Sequence, residues 1–335
     1  MKPNIITANY KIVTPMFIGD ANQQATNISP ASVKGALRFW WRALNWGQFQ
    51  QNEETDSKAL QQLHQQEGWI FGSSAEHGTG QAKFNLRVHC KKLPLAKADW
   101  PKSGSGSGYL GMGLWESGKA ANGTFKAARE YFSENTEFDI EIVLHPKLSE
   151  DDARSLNDAL IAWGLLGGLG SRARRAFGSV ALVKLDQKSY QFKTVEAYKT
   201  CVEALIKKYH LEDKKPPYSA FSRQSSIAIG TTLNSTARLT HENLGQLFKQ
   251  HRGQPSNLRG TKKRVFGMPY SGGGRKESDA RRSSPLLMHI HPISNQYCTT
   301  CTLLIADFHP DTSLQSVDYS LIQNFLTQFD EVAIV

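Results

Sequence analysis

At 335 residues, with 40 Lys and Arg against 30 Asp and Glu, the chain carries a formal charge of +10 and is long enough for two domains. That balance favours a polyanionic partner, most often a nucleic acid. Four scattered cysteines exclude a disulfide framework, and with no 18-residue apolar run and no long apolar leader, a soluble cytoplasmic protein is expected.

The predicted elements begin with a β-rich segment at 4–13, followed by a helix over 29–46 in which Ser29 is a cap and Pro30 lies in the first turn. Residues 83–90 and 137–144 alternate apolar and polar side chains, as half-buried strands do. A second helix over 149–166 opens on Ser149 and Asp152, and 179–185 reads as a strand. The order is βαββαβ, the split βαβ of a ferredoxin-like unit. After a helix over 194–210 and a linker at 212–219, the order recurs: strand 225–232, helix 241–251, a hairpin from 285–291 and 297–307, helix 318–329 and a closing strand. One local echo supports the repeat: Phe71-Gly72 and Phe266-Gly267 each precede a Gly-rich loop. The fold class is therefore α+β, two tandem ferredoxin-like domains at 1–190 and 220–335 bridged by 191–219, with long loop insertions. The longest loop, 94–123, is read as structureless and functional or disordered.

Three basic features stand out. Residues 164–180, GLLGGLGSRARRAFGSV, join the second helix to the last strand of the first half. Gly167, Gly168 and Gly170 permit positive φ and close approach of a ligand, and the backbone of Ser171 lies beside them. Arg172, Arg174 and Arg175 can fork onto phosphate oxygens over an anion nest; the competing reading is a helix cap followed by a solvated basic turn. On the first helix Lys34, Arg38 and Arg42 share a stripe with Asn45, opposite Leu37, Trp40 and Leu44. Trp41 sits at the stripe's border and either stacks on a base or widens the apolar face. From Arg252 to Arg282 nine Lys and Arg, including Arg264, Arg281 and Arg282, face two acids, Glu277 and Asp279, as a binding segment or a basic loop.

Other motifs are weaker. GSGYLG at 106–111 matches G-x-G-x-x-G, but neither a preceding strand nor a following helix is predicted, so a dinucleotide site is rejected. His289, His291, Cys298 and Cys301 suggest zinc, yet a C-x-x-C inside a strand sends its sulfurs to opposite faces. No metal or other cofactor is expected.

ISPASVKGALRFWWRAL followed by IFGSS resembles the opening of the RAMP proteins, the repeat-associated subunits of CRISPR effector complexes, and GGLGSRARRAFGSV resembles their glycine-rich loop. The double Trp, the TPMFIGDANQQA before it and RRSSPLLMHI late in the chain narrow the resemblance to the first subunits of type III-B (Cmr) RNA-targeting effectors. Ala176 departs from the pattern, since the family's loop often has glycine there. The resemblance implies tandem ferredoxin-like domains and a non-catalytic subunit, one that helps hold the guide RNA (crRNA) 3′ region and target RNA beside other Cmr/RAMP subunits, with no membrane association. The rival reading is a guide-processing endoribonuclease, for which His77 is the candidate base. On the non-catalytic reading, the RNA contacts are expected on Lys34, Arg38, Trp41, Arg42, Gly167, Gly168, Gly170, Ser171, Arg172, Arg174, Arg175, Arg264, Arg281 and Arg282.

Overall fold

Alternation of apolar side chains builds the centre of the first sheet: Ile6, Ala8, Tyr10 and Ile12 of the first strand are all buried. The computed structural model describes residues 4–334, apart from 21, 23, 75–79, 91–93, 97, 98, 103, 116–123, 127–129, 254–259, 269, 270, 273, 274, 277–279 and 330. In chain order the first half runs β1 (Ile5–Ile12), α1 (Pro30–Gln51), α2 (Asp56–Phe71), β2 (Phe84–His89), β3 (Leu95–Ala96), β4 (Asp99–Lys102), α3 (Gly106–Leu110), β5 (Thr124–Lys126), β6 (Tyr131–Phe132), β7 (Glu137–Leu144), α4 (Glu150–Leu166), β8 (Val180–Leu185) and β9 (Lys188–Ser189). The second runs α5 (Val195–Ile206), β10 (Ser226–Ile229), α6 (Ala237–Gly253), a 3-10 turn (Gly260–Phe266), β11 (Ser271–Gly272), β12 (Arg275–Lys276), β13 (Leu286–Ile293), β14 (Gln296–Leu303), α7 (Thr312–Gln315), α8 (Ser320–Leu326) and β15 (Glu331–Ile334).

Two mixed α/β halves result, each built on an antiparallel sheet. The first has the order β2-β7-β1-β8-β9 and the second β13-β14-β10-β15. In both, the first strand of the half lies between the third and the fourth. α1 starts where Ser29 accepts the Ala31 N–H and Pro30 occupies the first turn. It runs on to Gln51, further than the sequence reading, and is followed by α2, an element that reading left out. α4 starts where Ser149 Oγ accepts the Asp152 N–H, with three acids in its first turn favoured by the helix dipole. The local echo is real: Phe71 ends α2, Phe266 ends the 3-10 turn, both are buried, and Gly72 and Gly267 follow with φ of 82° and 118°.

The halves share their cores. One apolar cluster joins α1, α4 and the first sheet to Ile227, Ile229, Leu287 and Cys298 of the second half. The other joins Val13, Phe17 and Phe177 to Phe248, Phe266 and Phe325. The outer edge of β13 is closed by the first half and the bridge: Met288 N–H donates to the Arg174 carbonyl (3.2 Å), Ile290 N–H to Ser179 Oγ (3.2 Å) and, just past the strand, Ser294 N–H to the Phe192 carbonyl of the bridge (2.8 Å). Edge groups that would invite another strand are thereby satisfied internally.

The described part of the 94–123 insertion is ordered, against the structureless reading. A short helix does begin on the GSGYLG motif, capped by Ser105, and its Gly106 and Ser107 N–H groups donate to Glu242 of α6 at 2.7 and 2.9 Å. A protein carboxylate thus holds the donors that a pyrophosphate would need. Gly106 and Gly245 let the two backbones touch. Among the described residues no helix is long and apolar enough to cross a membrane.

Candidate nucleic-acid interface

α1 presents its basic stripe half-buried rather than free. The Arg38 guanidinium donates to the Gly72 carbonyl and lies 3.6 Å from the carboxylate of buried Glu67, and Arg42 approaches the same oxygen at 3.4 Å. One buried acid thus anchors two cations and leaves a net positive surface. Lys34 Nζ sits 5.4 Å over the Phe84 ring; burial and the neighbouring Arg38 push its pKa down. Asn45 is buried and donates to the Trp41 carbonyl (2.8 Å), so it leaves the stripe. Trp41 is 2% exposed, packs on Phe49 and Phe71, and donates its indole N–H to Ser155 Oγ (2.8 Å). It is a core residue with no face open to a base, because the apolar side of α1 is wide enough to reach it.

The glycine-rich loop is folded onto the protein itself. Leu169 N–H donates to the Gly178 carbonyl, Ser171 N–H to Phe17, Arg175 N–H to Arg172 and Gly178 N–H to Pro15. The nest reading is corrected accordingly: these N–H groups already serve protein carbonyls. The glycines permit internal approach, not ligand approach. A Cβ at Gly170 (φ 90°) would strike the Phe17 carbonyl, one at Gly178 (φ 59°) the Leu169 carbonyl, one at Gly168 the Gly178 carbonyl, and one at buried Gly167 the rings of Trp163 and Trp40. Ala176 also sits at φ 61°, its carbonyl accepting Thr14 Oγ1 (2.6 Å), which gives a physical reason for glycine at this position.

The three loop arginines part ways. Arg172 is exposed and donates to the Met112 carbonyl. Arg174 donates to the Ser284 carbonyl (2.5 Å) and lies 5.0 Å over Phe39 of α1. Arg175 is directed inward: it donates to the Phe266 carbonyl (3.1 Å), lies 4.6 Å over Phe248, and its Nη1 is buried without a partner. Burial, then like charges, brings Arg174 down to about 10 and Arg175 to about 9, so both stay protonated at neutral pH. Arg175 is therefore corrected from a phosphate ligand to a clasp between the halves.

Phe39 is where the two basic features meet, and it is the residue the sequence reading passed over. It follows Arg38 in the chain at the border between the stripe and the apolar face, half-buried with the Arg174 guanidinium over its ring. Beyond it, Arg282 donates to Ser219 Oγ (3.2 Å) and lies 5.8 Å over Phe308, while Arg281 is exposed. Among the described residues Arg174, Arg175 and Arg282 have no ion pair; carbonyls hold the first two, a serine hydroxyl the third, and each lies over a ring face. Arg264 is half-buried in the 3-10 turn. The open face of the first sheet carries Thr7, Asn9, Asn85, Arg87, Asp139 and Glu141, a mixed polar surface without a stacking platform.

The histidines and cysteines of β13 and β14 are packing and hydrogen-bonding groups. Cys298 joins one apolar cluster and Cys301 the other, on opposite faces of β14. His289 Nδ1–H donates to the Gly167 carbonyl (2.8 Å), which leaves its Nε2 to accept from His291 Nδ1–H (3.1 Å). His241 Nε2–H donates to the Arg175 carbonyl (3.1 Å), and its Nδ1 accepts from Ser107 (2.9 Å). Burial pushes His241 and His289 down to about 4, so all these contacts use neutral rings. His77 lies outside the described residues.

A family model described as the RAMP superfamily matches residues 9–181. The CRISPR system Cmr subunit Cmr1-1 of Pyrococcus furiosus is 23% identical over 312 residues, spanning 88% of this chain and 86% of its own. Cmr1-2 of the same organism is 28% identical over 193 residues, 52% of this chain and 93% of its own. The fold matches crystalline apo Cmr1 from Pyrococcus furiosus with a TM-score of 0.64 at 19% identity, over 98% of both chains. It also matches a chain of the type III-B Cmr-beta complex bound to cognate target RNA and AMPPnP, with a TM-score of 0.63 at 12% identity over 98% and 99% of the two chains.

Proposed function

Because this chain belongs to the RAMP superfamily, we propose that it is a non-catalytic RNA-binding subunit of a type III-B (Cmr) CRISPR effector complex, helping to hold the guide RNA 3′ region and the target RNA beside other Cmr subunits in antiviral defence. The near full-length match to a Cmr subunit supports the assembly, and the match to a chain of a complex bound to target RNA supports the ligand. The observation that carries the reading is the cationic track from Lys34 and Arg38 across Phe39 and Arg174 to Arg281 and Arg282, which spans both halves. Such contacts position a strand through its phosphates without reading sequence, as a subunit that accepts any guide requires.

The shared strand order supports reading the halves as tandem ferredoxin-like domains, 1–190 and 220–335, joined through 191–219 but with interlocked cores. The non-catalytic assignment draws on the neutral, carbonyl-bound state of His241 and His289, which suits packing rather than proton transfer. A cytoplasmic location follows from the same assembly. The test is a complex reconstituted with guide and target RNA, with and without this chain, and footprinted by hydroxyl radicals. Protection of the guide 3′ region that depends on the chain is expected; an identical footprint without it contradicts the proposal.

A further inference from the structure

Glycines inside the helices differ in what surrounds them. A Cβ on Gly47 of α1 would meet the His210 carbonyl, one on Gly164 of α4 would meet Leu182, and one on Gly245 of α6 would meet the Gly106 backbone. Each of these glycines is explained by close internal packing. Gly35 of α1 is exposed, and a Cβ there meets nothing within 4 Å. An interior glycine weakens a helix relative to alanine, and nothing within the described chain repays that loss at Gly35.

The surroundings of Gly35 suit a strand from outside. Lys34 precedes it and Arg38 lies one turn on. A shallow groove of about 520 Å³, lined by Gly35, Arg38 and Gly72, runs on one side. On the other, a cleft of about 1250 Å³ opens between the first turns of α1 and α4. Ala31, Lys34, Gln81 and Ala82 line both, so the two are continuous. The cleft has an apolar floor of Phe84, Leu144 and Leu148. Its wall includes Asn157, whose Oδ1 is buried without a hydrogen-bond partner. Glu150, an acid at its rim, is paired with Arg154 (3.6 Å), whereas Lys34 has no ion pair among the described residues. The charge therefore favours a nucleic acid over a basic peptide.

We propose that the sugar–phosphate backbone of single-stranded RNA crosses α1 in van der Waals contact with Gly35, between Lys34 and Arg38, and turns one base into the cleft floored by Phe84. The inference rests on the RNA-binding reading above and specifies its geometry. Phosphates flanking the crossing meet the two cations, the base covers apolar floor as bases do on single-strand platforms, and an exocyclic amino group supplies the donor that Asn157 Oδ1 lacks. A methyl group at position 35 lifts the strand off the helix.

The test uses the full-length chain, alone and in the reconstituted complex, as wild type, Gly35→Ala and Ala31→Trp, the last filling the wall that groove and cleft share. Single-stranded RNA carrying 4-thiouridine serves as probe for affinity and photocrosslinking. Gly35→Ala is expected to melt no lower than wild type yet bind RNA at least fivefold more weakly, and wild-type crosslinks to residues 81–86 or 144–157 are expected to vanish in Ala31→Trp. If both variants bind and crosslink as wild type while Lys34→Ala still weakens binding, this geometry is wrong and the RNA-binding reading survives. Absence of salt-dependent RNA binding by the wild-type chain and its complex removes the reading and the geometry together. Loss of assembly at unchanged RNA affinity makes the occupant a neighbouring protein and overturns the proposal.

Discussion

The outer face of α1 and the glycine-rich loop both present arginines beside small residues, and they use them in opposite ways. On α1 the cations stay half-exposed around an open glycine: Arg38 and Arg42 share one buried acid, Glu67, Arg38 also donates to the Gly72 carbonyl, and Lys34 rests over Phe84. In the loop the glycines are filled by the chain's own carbonyls, Arg174 and Arg175 reach across to the second half, and only Arg172 is exposed. A Gly/Arg-rich stretch is therefore ambiguous until the partner of each backbone group is known. The same composition makes a ligand surface where the glycine is open and a clasp where the chain's own carbonyls fill the space beside it.

Three substitutions or conditions probe that contrast. Trp41→Ala is expected to destabilise the fold by about 3–5 kcal/mol, as large core truncations do, measured by urea denaturation; a stable variant with weakened RNA binding would return Trp41 to the ligand face. Gly178→Ala forces a side chain onto the Leu169 carbonyl at positive φ, and strain plus overpacking should cost about 2–4 kcal/mol. A Gly178→Ala protein that melts like wild type would show the loop to be looser than described. Acid should then loosen the clasp by up to about 3 kcal/mol for each of two buried histidines. His241 and His289 are held neutral, near 4, against about 6.5 when unfolded. The unfolded chain binds more protons in that window, so this stability is complete above about pH 6.5 and is lost as pH falls toward about 4. His289→Gln should flatten the fall in urea midpoint; an unchanged slope would remove His289 from the account.

Much of the fold was legible in the sequence because period and caps agree. The alternation of 137–144, Ser149 ahead of Asp152 and the Phe-Gly echo each reappear as a strand, a capped helix and a buried Phe followed by a positive-φ glycine. α2 was missed although Thr55 caps it through the Lys58 N–H and Ala59, Leu63 and Ile70 recur at helical spacing; its glutamine-rich outer face hid the period. The basic stripe was legible because helical geometry alone places Lys34, Arg38 and Arg42 together. Arg175 was not, because its carbonyl and ring partners, Phe266 and Phe248, lie far along the chain and meet it only through the shared core. Phe39 was hidden for the same reason: nothing local shows that Arg174 comes to rest on it.

The contrast between the two regions is tested most directly by the salt dependence of single-stranded RNA binding, compared for wild type, Lys34→Ala and Arg175→Met. Lys34→Ala should leave the melting temperature unchanged and reduce the slope of log K against log salt by about 0.7, the loss of one phosphate contact. Arg175→Met, a buried replacement of similar volume, should leave the slope at the wild-type value. A slope reduced by Arg175→Met and untouched by Lys34→Ala would place the RNA on the loop and contradict the account.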